Sequence, residues 1–199
     1  MSHYFSSEPP ARSREREVRV VLRGRPMTAG TAAGVFSGGR LDPGTAVLLR
    51  EVPDPPASGL GVDLGCGWGP IALAMADAAP GLRVVGIDVN PAARALTEAN
   101  AHRNGLAVEA RAPEEFAGPA PIDVLWSNPP IRVGKAVLHE MMRTWLPRLA
   151  PAGEAYLVVN KNLGSDSLHR WLEQELPVTV ARVASHKGFR VLRVRPART

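Results

Sequence analysis

The stretch Val62-Asp63-Leu64-Gly65-Cys66-Gly67-Trp68-Gly69-Pro70 decides the fold, because it leads from an apolar strand through a glycine-rich turn into a helix. Leu60–Leu64 is short and apolar, and Pro70–Ala79 is rich in alanine. Glycines let the backbone turn sharply and let a ligand lie against it. A strand, a glycine turn and a helix in this order are typical of an open α/β sheet that binds its ligand at the carboxyl ends of the strands.

The rest of the chain continues this alternation, and apolar strands separated by helices indicate a buried, mostly parallel sheet. Strands are predicted at Leu60–Leu64, Leu82–Ile87, Leu106–Ala110, Ile122–Trp126, Tyr156–Val159, Val178–Val183 and Phe189–Val194, and helices at Pro70–Ala79, Pro91–Arg103, Ala136–Leu149 and around Leu168–Leu176. The last two strands have no helix between them, so they should pair antiparallel. We therefore predict an α/β fold: a Rossmann-like, mostly parallel seven-stranded sheet with helices on both faces and one antiparallel edge strand.

Residues 1–52 are predicted to form a short N-terminal extension of this sheet. A polar arm is followed by a strand at Val18–Arg23, a turn-rich segment at Gly24–Gly39, and a short helix. That helix should begin at Asp42-Pro43, because aspartate caps helices and proline suits their first turn. Residues 53–199 are predicted to form the main domain, and 199 residues suit a single compact domain overall.

The charge distribution favours a polyanionic partner. The formal net charge is +5, and basic residues crowd both ends of the chain, whereas the middle is nearly balanced. These residues are Arg12, Arg14, Arg16, Arg19, Arg23 and Arg25 near the start, and Arg182, His186, Lys187, Arg190, Arg193, Arg195 and Arg198 near the end. Basic flanks around a neutral centre are typical of nucleic-acid-binding proteins, although an arginine-rich solvated surface has the same composition.

The cysteine content and the hydropathy pattern favour a cytoplasmic protein without membrane contact. Cys66 is the single cysteine, so no internal disulfide can form, which fits a reducing compartment. No run of 18 apolar residues occurs, and Met1–Phe5 lacks the pattern of a signal peptide. Cys66 lies between two glycines, where a small residue that fits the turn is the simpler interpretation and a reactive thiol the alternative. No metal site is predicted.

The glycine loop and Asp88 together indicate a nucleoside ligand without phosphates. The dinucleotide fingerprint reads G-x-G-x-x-G, but Pro70 occupies the third glycine position and Asp63 precedes the loop. A carboxylate at Asp63 would repel pyrophosphate and attract an ammonium group. Asp88 follows Gly65 by 23 residues, ends the next strand, and can accept hydrogen bonds from both ribose hydroxyls. S-adenosylmethionine has these features, whereas a nicotinamide cofactor is disfavoured by the spacing.

A second loop, Asn128-Pro129-Pro130, follows the strand Ile122–Trp126 and should face the same crevice. The prolines fix the backbone and remove donors, so the side-chain oxygen of Asn128 and the carbonyl of Pro129 are left as acceptors. Two acceptors can hold both N–H groups of an exocyclic amine and aim its lone pair at a methyl sulfonium. They would also stabilise the positive charge that develops on the nitrogen. Asn128 and Pro129 are therefore predicted to be catalytic; a purely structural turn is the alternative.

These motifs resemble those of class I S-adenosylmethionine-dependent methyltransferases, and more narrowly the "small" methyltransferase domain of bacterial rRNA guanine-N2 methyltransferases. The resemblance covers nearly the whole chain, including His3–Ser6, Gly34–Ser37, Asp42–Thr45 and Gly188–Leu192, and it implies that the helix at Asp42–Thr45 covers the cofactor. It implies methylation of a guanine N2 amine in rRNA, with S-adenosylmethionine as cofactor and RNA or a ribosomal subunit as the partner of a monomeric enzyme. The implied cofactor contacts are Phe36, Asp63, Gly65, Cys66, Gly67, Gly69, Asp88, Val89, Asn90, Glu114 and Asn128. The implied substrate contacts are Pro130, Ile131, Arg132 and Lys135.

Two features depart from the family pattern. The larger rRNA enzymes carry two such domains in tandem, whereas this length has room for one. Many amine methyltransferases also place an aromatic residue after Asn-Pro-Pro, where Ile131 stands here, so a stacking group is expected at Phe36 or Trp68. The residues leave three alternatives open: methylation of adenine or another nucleic-acid amine, methylation of a glutamine amide in a protein, and a non-catalytic RNA-binding module.

Overall fold

An antiparallel hairpin opens the part of the chain that the structure, a computed structural model, describes: residues 16–31, 40–116, 121–130 and 134–197. Its strands are β1 (Arg16–Leu22) and β2 (Arg25–Thr31). Arg23 and Gly24 have φ angles of 49° and 83°, as a two-residue turn that follows the twist of the strands requires. The sequence predicted the first strand but a turn-rich segment in place of β2. That prediction was wrong because Pro26 and Gly30 lower the local strand propensity of a segment that tertiary contacts stabilise.

The main sheet has seven strands in the order β5-β4-β3-β6-β7-β9-β8. The strands are β3 (Gly59–Leu64), β4 (Leu82–Ile87), β5 (Val108–Arg111), β6 (Ile122–Ser127), β7 (Leu149–Asn160), β8 (Val178–His186) and β9 (Phe189–Pro196). All neighbours from β5 to β7 are parallel, whereas β9 runs antiparallel to both β7 and the edge strand β8. The predicted mostly parallel seven-stranded sheet with an antiparallel edge is confirmed.

Helices cover both faces of this sheet. They are α1 (Pro43–Glu51), α2 (Pro70–Ala78), α3 (Pro91–Arg103), α4 (Lys135–Trp145) and α5 (Ser165–Glu175). One hydrophobic cluster joins the hairpin and helices α1 to α3 to the sheet, and a second joins α4 and α5 to its other face. The helix predicted to reach Leu149 ends earlier, because Pro147 follows in a 3-10 turn at Leu146–Arg148. No helix in the described ranges is long and apolar enough to cross a bilayer.

The direction of strand addition reverses between β3 and β6. The chain adds β4 and β5 on one side of β3 and then returns to place β6 on the other side. A parallel sheet opens a crevice outside the carboxyl ends of its strands at such a point. The glycine loop after β3 and the Asn-Pro-Pro loop after β6 therefore border the same crevice.

Candidate active site

A cavity of about 910 Å³ lies at the carboxyl ends of β3, β4 and β6. Residues from six segments line it: the start of α1, the glycine loop, the segment after β4, the 3-10 turn after β5, the loop after β6, and one face of α4. They are Asp42, Thr45, Leu64, Gly65, Cys66, Gly67, Trp68, Pro70, Ile71, Ile87, Asp88, Val89, Asn90, Ala93, Pro113, Asn128, Pro130, Ala136, Val137, Glu140, Met141, Thr144 and Trp145. The cavity brings together both loops that the sequence singled out.

The glycine loop is held in shape by its own backbone. Gly65 and Gly67 have φ angles of 81° and 59°, in the left-handed region that favours glycine. The N–H groups of Gly65 and Cys66 both donate to the carbonyl of Ile87, over 2.8 and 3.0 Å, which ties the loop to the end of β4. The N–H of Gly69 donates to the carbonyl of Cys66 over 2.9 Å and closes the turn before α2.

Asp88 orients the segment after β4 with both carboxylate oxygens. Oδ2 accepts from the N–H of Gly67 over 3.0 Å, and Oδ1 accepts from the N–H of Asn90 over 2.9 Å. Each oxygen retains a lone pair that can accept from a diol, because an ionised carboxylate has about four acceptor sites. Beside it, Val89 is 80% exposed at the cavity and can cover a flat apolar ring. Arg94, which the sequence analysis missed, donates to the carbonyls of Asp88 and Val89 over 2.9 and 3.1 Å and fixes this segment.

The Asp63 carboxylate lies beneath the glycine loop rather than on the cavity surface. Asp63 is 0% exposed; its Oδ2 accepts from the N–H of Ala72 over 2.9 Å, and its Oδ1 has no hydrogen-bond partner among the described residues. Burial raises the pKa of this carboxyl to about 8, against the effect of the Ala72 N–H and with a further contribution from the Asp88 carboxylate. A nearby cation would stabilise the ionised form of a buried carboxyl group whose oxygen has no hydrogen-bond partner.

Helix α3 supports the loop from below through two side chains that the sequence analysis did not identify. The hydroxyl of Thr97 donates to the carbonyl of Gly67 over 3.1 Å and lies 3.3 Å from the sulfur of Cys66. Asn100 donates to the carbonyls of Trp68 and Gly30 over 2.8 and 3.0 Å, and accepts from the N–H of Gly30 over 2.6 Å. Asn100 thereby joins the loop to β2 and supplies the backbone bonds that an adjacent strand would make.

Cys66 is a structural residue. It is buried under the loop, and burial, together with the nearby Asp63 carboxylate, raises the pKa of its thiol far above the ordinary value. Because the thiolate is the nucleophilic form of cysteine, such a thiol is inert. The simpler interpretation of this residue, a small side chain that fits a tight turn, is the one that the structure supports.

The loop after β6 is anchored where it leaves the strand and through the side chain of Asn128. The hydroxyl of Ser127 donates to the carbonyl of Leu64 over 2.6 Å, Pro129 is buried, and Pro130 is exposed at the cavity. Between them, the side-chain nitrogen of Asn128 donates to Oδ1 of Asp42 over 2.7 Å and to Oγ1 of Thr45 over 3.0 Å. The described residues provide no donor to Oδ1 of Asn128.

Comparison with known proteins agrees with this geometry. The methyltransferase small domain family matches residues 26–193 of the chain. The chain belongs to this family. Among solved structures, this member of the methyltransferase small domain family resembles the "T. Thermophilus 16S rRNA N2 G1207 methyltransferase (RsmC) in complex with AdoMet and Guanosine", with a TM-score of 0.81 and 26% identity over 94% of this chain and 52% of that chain.

Two curated relatives of this family member differ in length. It is 32% identical to the uncharacterized protein YbxB of Bacillus subtilis strain 168, over 97% of this chain and 98% of that protein. It is also 32% identical to the ribosomal RNA small subunit methyltransferase C of Pseudomonas syringae pv. syringae, over 74% of this chain and 46% of that protein. The chain therefore spans about half the length of the rRNA methyltransferases that it matches.

Some of the site residues expected for a methyltransferase small domain lie off the cavity. Glu114 is exposed on a 3-10 turn and does not line it, although its neighbour Pro113 does. Gly69 caps α2, Lys135 begins α4 as an exposed residue, and Pro129, which was expected to be catalytic, is buried; none of these three lines the cavity. Phe36, Ile131 and Arg132 lie outside the described residues.

The cavity also has features that the sequence analysis did not assign. Trp68 is only 2% exposed and packs in the core with α2, so it is not free to stack on a base, contrary to one of the two expectations for the missing aromatic group. One face of α4 lines the cavity through Ala136, Val137, Glu140, Met141, Thr144 and Trp145. The three- and four-residue spacing of these side chains along the helix is the sequence signal that could have indicated this face. No group of three metal-ligating side chains suited to a metal ion occurs within the described segments.

Several basic side chains of this family member have structural partners. Arg23 donates to the carbonyls of Leu49 and Val52 over 2.9 and 3.0 Å, and so caps the carboxyl end of α1. Arg190 and Arg182 pair with Asp166, Arg195 pairs with Glu154, and Arg25 pairs with Asp77. Arg16 and Arg19 are exposed on β1. Within the described part of the chain, the expected polyanion-binding surface is therefore narrower than the count of basic residues suggests. Arg12, Arg14 and Arg198 lie outside the described residues.

Proposed function

We propose that this protein transfers a methyl group from S-adenosylmethionine to the exocyclic N2 amine of a guanine in rRNA. The observation that carries the proposal is the position of Asn128, which lines the same cavity as Asp88 and the glycine loop and whose Oδ1 has no donor among the described residues. Membership of the methyltransferase small domain family and the likeness to an rRNA guanine methyltransferase support the same activity.

The residues present fit S-adenosylmethionine. Asp88 has the free acceptor sites that a ribose diol needs, and the exposed Val89 beside it can cover an adenine ring. Oδ1 of Asp63 has no hydrogen-bond partner among the described residues, and its carboxyl would provide negative charge beneath the loop once the ammonium and sulfonium of this ligand favour its ionised form. When bound, the cofactor supplies a methyl group on a positively charged sulfur.

The loop after β6 binds and orients the acceptor amine. Oδ1 of Asn128 accepts one N–H, and the carbonyl of Pro129 accepts the other, so the nitrogen lone pair turns out of conjugation with the ring. Positive charge grows on this nitrogen as the new bond forms, and fixed carbonyl dipoles stabilise it at no reorganisation cost. Holding both reactants in line supplies much of the remaining acceleration.

RNA is the proposed partner, and the cytoplasm, where rRNA is made into subunits, is the proposed location. The exposed Arg16 and Arg19 on β1 are the candidates for phosphate contact, because other arginines of the hairpin pair with neighbouring groups. We further propose that Pro130, Lys135 and the adjoining Ile131 and Arg132 meet the RNA, and that the enzyme acts as a monomer on naked RNA or on a ribosomal subunit.

The deciding experiment is transfer of labelled methyl from S-adenosylmethionine to total RNA from a strain that lacks this protein. Nucleoside analysis of the product is expected to yield N2-methylguanosine in rRNA. Label in N6-methyladenosine would reassign the base, label in protein glutamine would reassign the substrate class, and absence of label in both RNA and protein would reject the activity. RNA treated with Asn128→Ala enzyme provides the background.

A further inference from the structure

We propose that Asp42 and Thr45, at the start of α1, are positioning residues that fix the amide of Asn128 with its oxygen toward the acceptor amine. This inference rests on the proposed function, since it concerns how the catalytic amide acquires its orientation. The two residues lie 86 and 83 positions before Asn128 in the sequence, so no local pattern predicts the contact.

The hydrogen bonds leave one orientation of the amide. A carboxylate has no proton to donate and can only accept hydrogen bonds. The group of Asn128 that lies 2.7 Å from Oδ1 of Asp42 is therefore its NH2 group. Its second proton reaches Oγ1 of Thr45 at 3.0 Å. With both amide protons used, Oδ1 is the group left to meet an incoming N–H. A flipped amide would set two acceptor oxygens against each other and would present a donor to the substrate.

The packing around Gly44 holds α1 against the loop. A Cβ atom built on Gly44 would lie 3.0 Å from Oδ1 of Asp42, 3.2 Å from Oδ1 of Asn128 and 3.1 Å from Cε1 of Phe189. The first turn of the helix therefore lies directly against the amide. Oδ1 of Asp42 also accepts from the N–H groups of Gly44 and Thr45, over 2.8 and 3.1 Å, so one oxygen caps the helix and holds Asn128.

The competing interpretation is that Asp42 only caps α1, and a serine substitution separates the two roles. Serine caps helices as well as aspartate does, but its side chain is one bond shorter, so it withdraws the acceptor from Asn128. Asparagine keeps both the cap and an acceptor oxygen at the same place. Thr45→Val removes the second acceptor with little change of shape.

The first test is a double-mutant cycle on single-turnover methyl transfer to guanine-containing RNA. Asp42→Ser is expected to lower the rate at saturating substrate by at least about tenfold, with cofactor affinity by calorimetry changed less than about twofold. Asp42→Asn should recover part of that loss, and Asp54→Ser, at an exposed acid beyond the other end of α1, should match the parent. In an Asn128→Ala background, Asp42→Ser should have no further effect, because its role passes through the amide. A rate loss that persists undiminished in that background would overturn the proposal.

The second test does not depend on activity. It uses protein with ¹⁵N-labelled asparagine, in which the side-chain amide signals of Asn128 are assigned by their loss in Asn128→Ala. Both amide protons of Asn128 should have shifted resonances and should be protected from exchange with solvent. The double variant Asp42→Ser with Thr45→Val should remove this protection. Unprotected amide protons in the parent would overturn the orientation. If the parent transfers no methyl to guanine while its amide protons are protected, the proposed function fails and the orientation of Asn128 stands.

Discussion

The hydroxyl of Ser127 donates a hydrogen bond of 2.6 Å to the main-chain carbonyl of Leu64. Ser127 is the last residue of β6 and Leu64 is the last residue of β3, and both are buried. The contact lies where the two strands end, so it fixes the separation between the glycine loop and the Asn-Pro-Pro loop. Loops usually vary in position, but the starting points of these two are joined by one buried hydrogen bond.

Removal of that hydroxyl should destabilise the protein through the loss of one buried hydrogen bond, with little change in core packing. Ser127→Ala is expected to lower the free energy of unfolding by about 1–3 kcal/mol, because the hydrogen bond to the Leu64 carbonyl is lost inside the protein. Urea unfolding measures this change. Ser185→Ala, at an exposed position in β8, is the control and should stay within about 0.5 kcal/mol of the parent. Equal midpoints for both variants would show that the Ser127 hydroxyl contributes nothing.

Asn128 should matter for chemistry and little for cofactor binding. Asn128→Ala is expected to lower the single-turnover rate at least about a hundredfold, the scale for loss of one transition-state hydrogen-bonding group. Asn128→Asp should also fail, because it places a second carboxylate against Oδ1 of Asp42, where Asn128 donates over 2.7 Å in the parent. A near-normal rate for Asn128→Ala would make this loop structural.

Asp88 should account for a large part of cofactor affinity. Asp88→Ala is expected to weaken binding of S-adenosylhomocysteine by about ten- to a hundredfold, because charge-assisted hydrogen bonds to the ribose are lost. Calorimetry measures the dissociation constant. Asp77→Ala, at an acid that pairs with Arg25 away from this cavity, should bind like the parent. An unchanged constant for Asp88→Ala would remove this residue from the binding site.

The raised pKa of Asp63 should make both stability and binding depend on pH. Its folded-state pKa is about 8, against an ordinary value of 3.8, so the folded protein binds an extra proton between these values. The contribution of this group to stability is therefore fully present below about pH 4 and is lost as pH rises through about 8. A cationic ligand favours the ionised form, so binding at pH 7 should release close to one proton. Calorimetry in buffers of different ionisation enthalpy measures that release.

Asp63→Asn is the matched variant for this prediction. It should abolish the release of the proton and remove the contribution of this group to the stability profile between about pH 4 and about pH 8, because an amide does not titrate in this range. Proton release that is unchanged in Asp63→Asn would assign the titration to another group.

Exposed arginines should govern the salt dependence of RNA binding. Arg16→Gln with Arg19→Gln should reduce the slope of log affinity against log salt by about 0.7–0.9 for each RNA phosphate that the variant no longer neutralises. Arg23→Gln should instead lower the unfolding midpoint, because it removes the donor to the carbonyls of Leu49 and Val52. Fluorescence anisotropy with a labelled RNA over a salt series distinguishes these outcomes. A slope that falls only with Arg23→Gln would contradict the proposed surface.

The elements from β3 onward could be predicted because their signals are local. Buried strands are continuous apolar runs, and Pro70, Pro91 and Gly105 mark the ends of helices in the sequence as in the structure. The hairpin strand β2 could not be predicted, since its backbone is also held by Asn100 in α3 and by Asn104 just after α3, some 70 residues further on. These asparagines bind the backbone of β2 in place of a second neighbouring strand. Such contacts produce no hydrophobic periodicity in the sequence of β2.

The site residues also divide into those that the sequence predicts and those that it does not. Asp88 and Asn128 lie on the cavity because strand ends meet at a predictable edge of a parallel sheet. Glu114 was assigned from sequence position alone, and a turn of three residues was enough to point it into solvent. The contact from Asn128 to Asp42 joins residues 86 positions apart, so tertiary packing creates it and no local pattern predicts it. The contact from Arg94 to the Asp88 carbonyl is only six residues long in sequence, but a lone arginine on a helix has no pattern that indicates its partner.

The placement of β9 between β7 and β8 has a consequence for biosynthesis. β8 leaves the ribosome before the strand through which it joins the sheet, and β7, twelve residues long, has an open edge until β9 arrives. An unpaired strand edge is a template for aggregation. Phe189, which begins β9, also lies against Gly44 beside the Asn128 amide. Chains that end before β9 would thus have an unpaired edge on β7 and would lack Phe189 beside the crevice. Nascent or truncated protein would therefore be prone to aggregation or degradation before it could bind ligand or RNA.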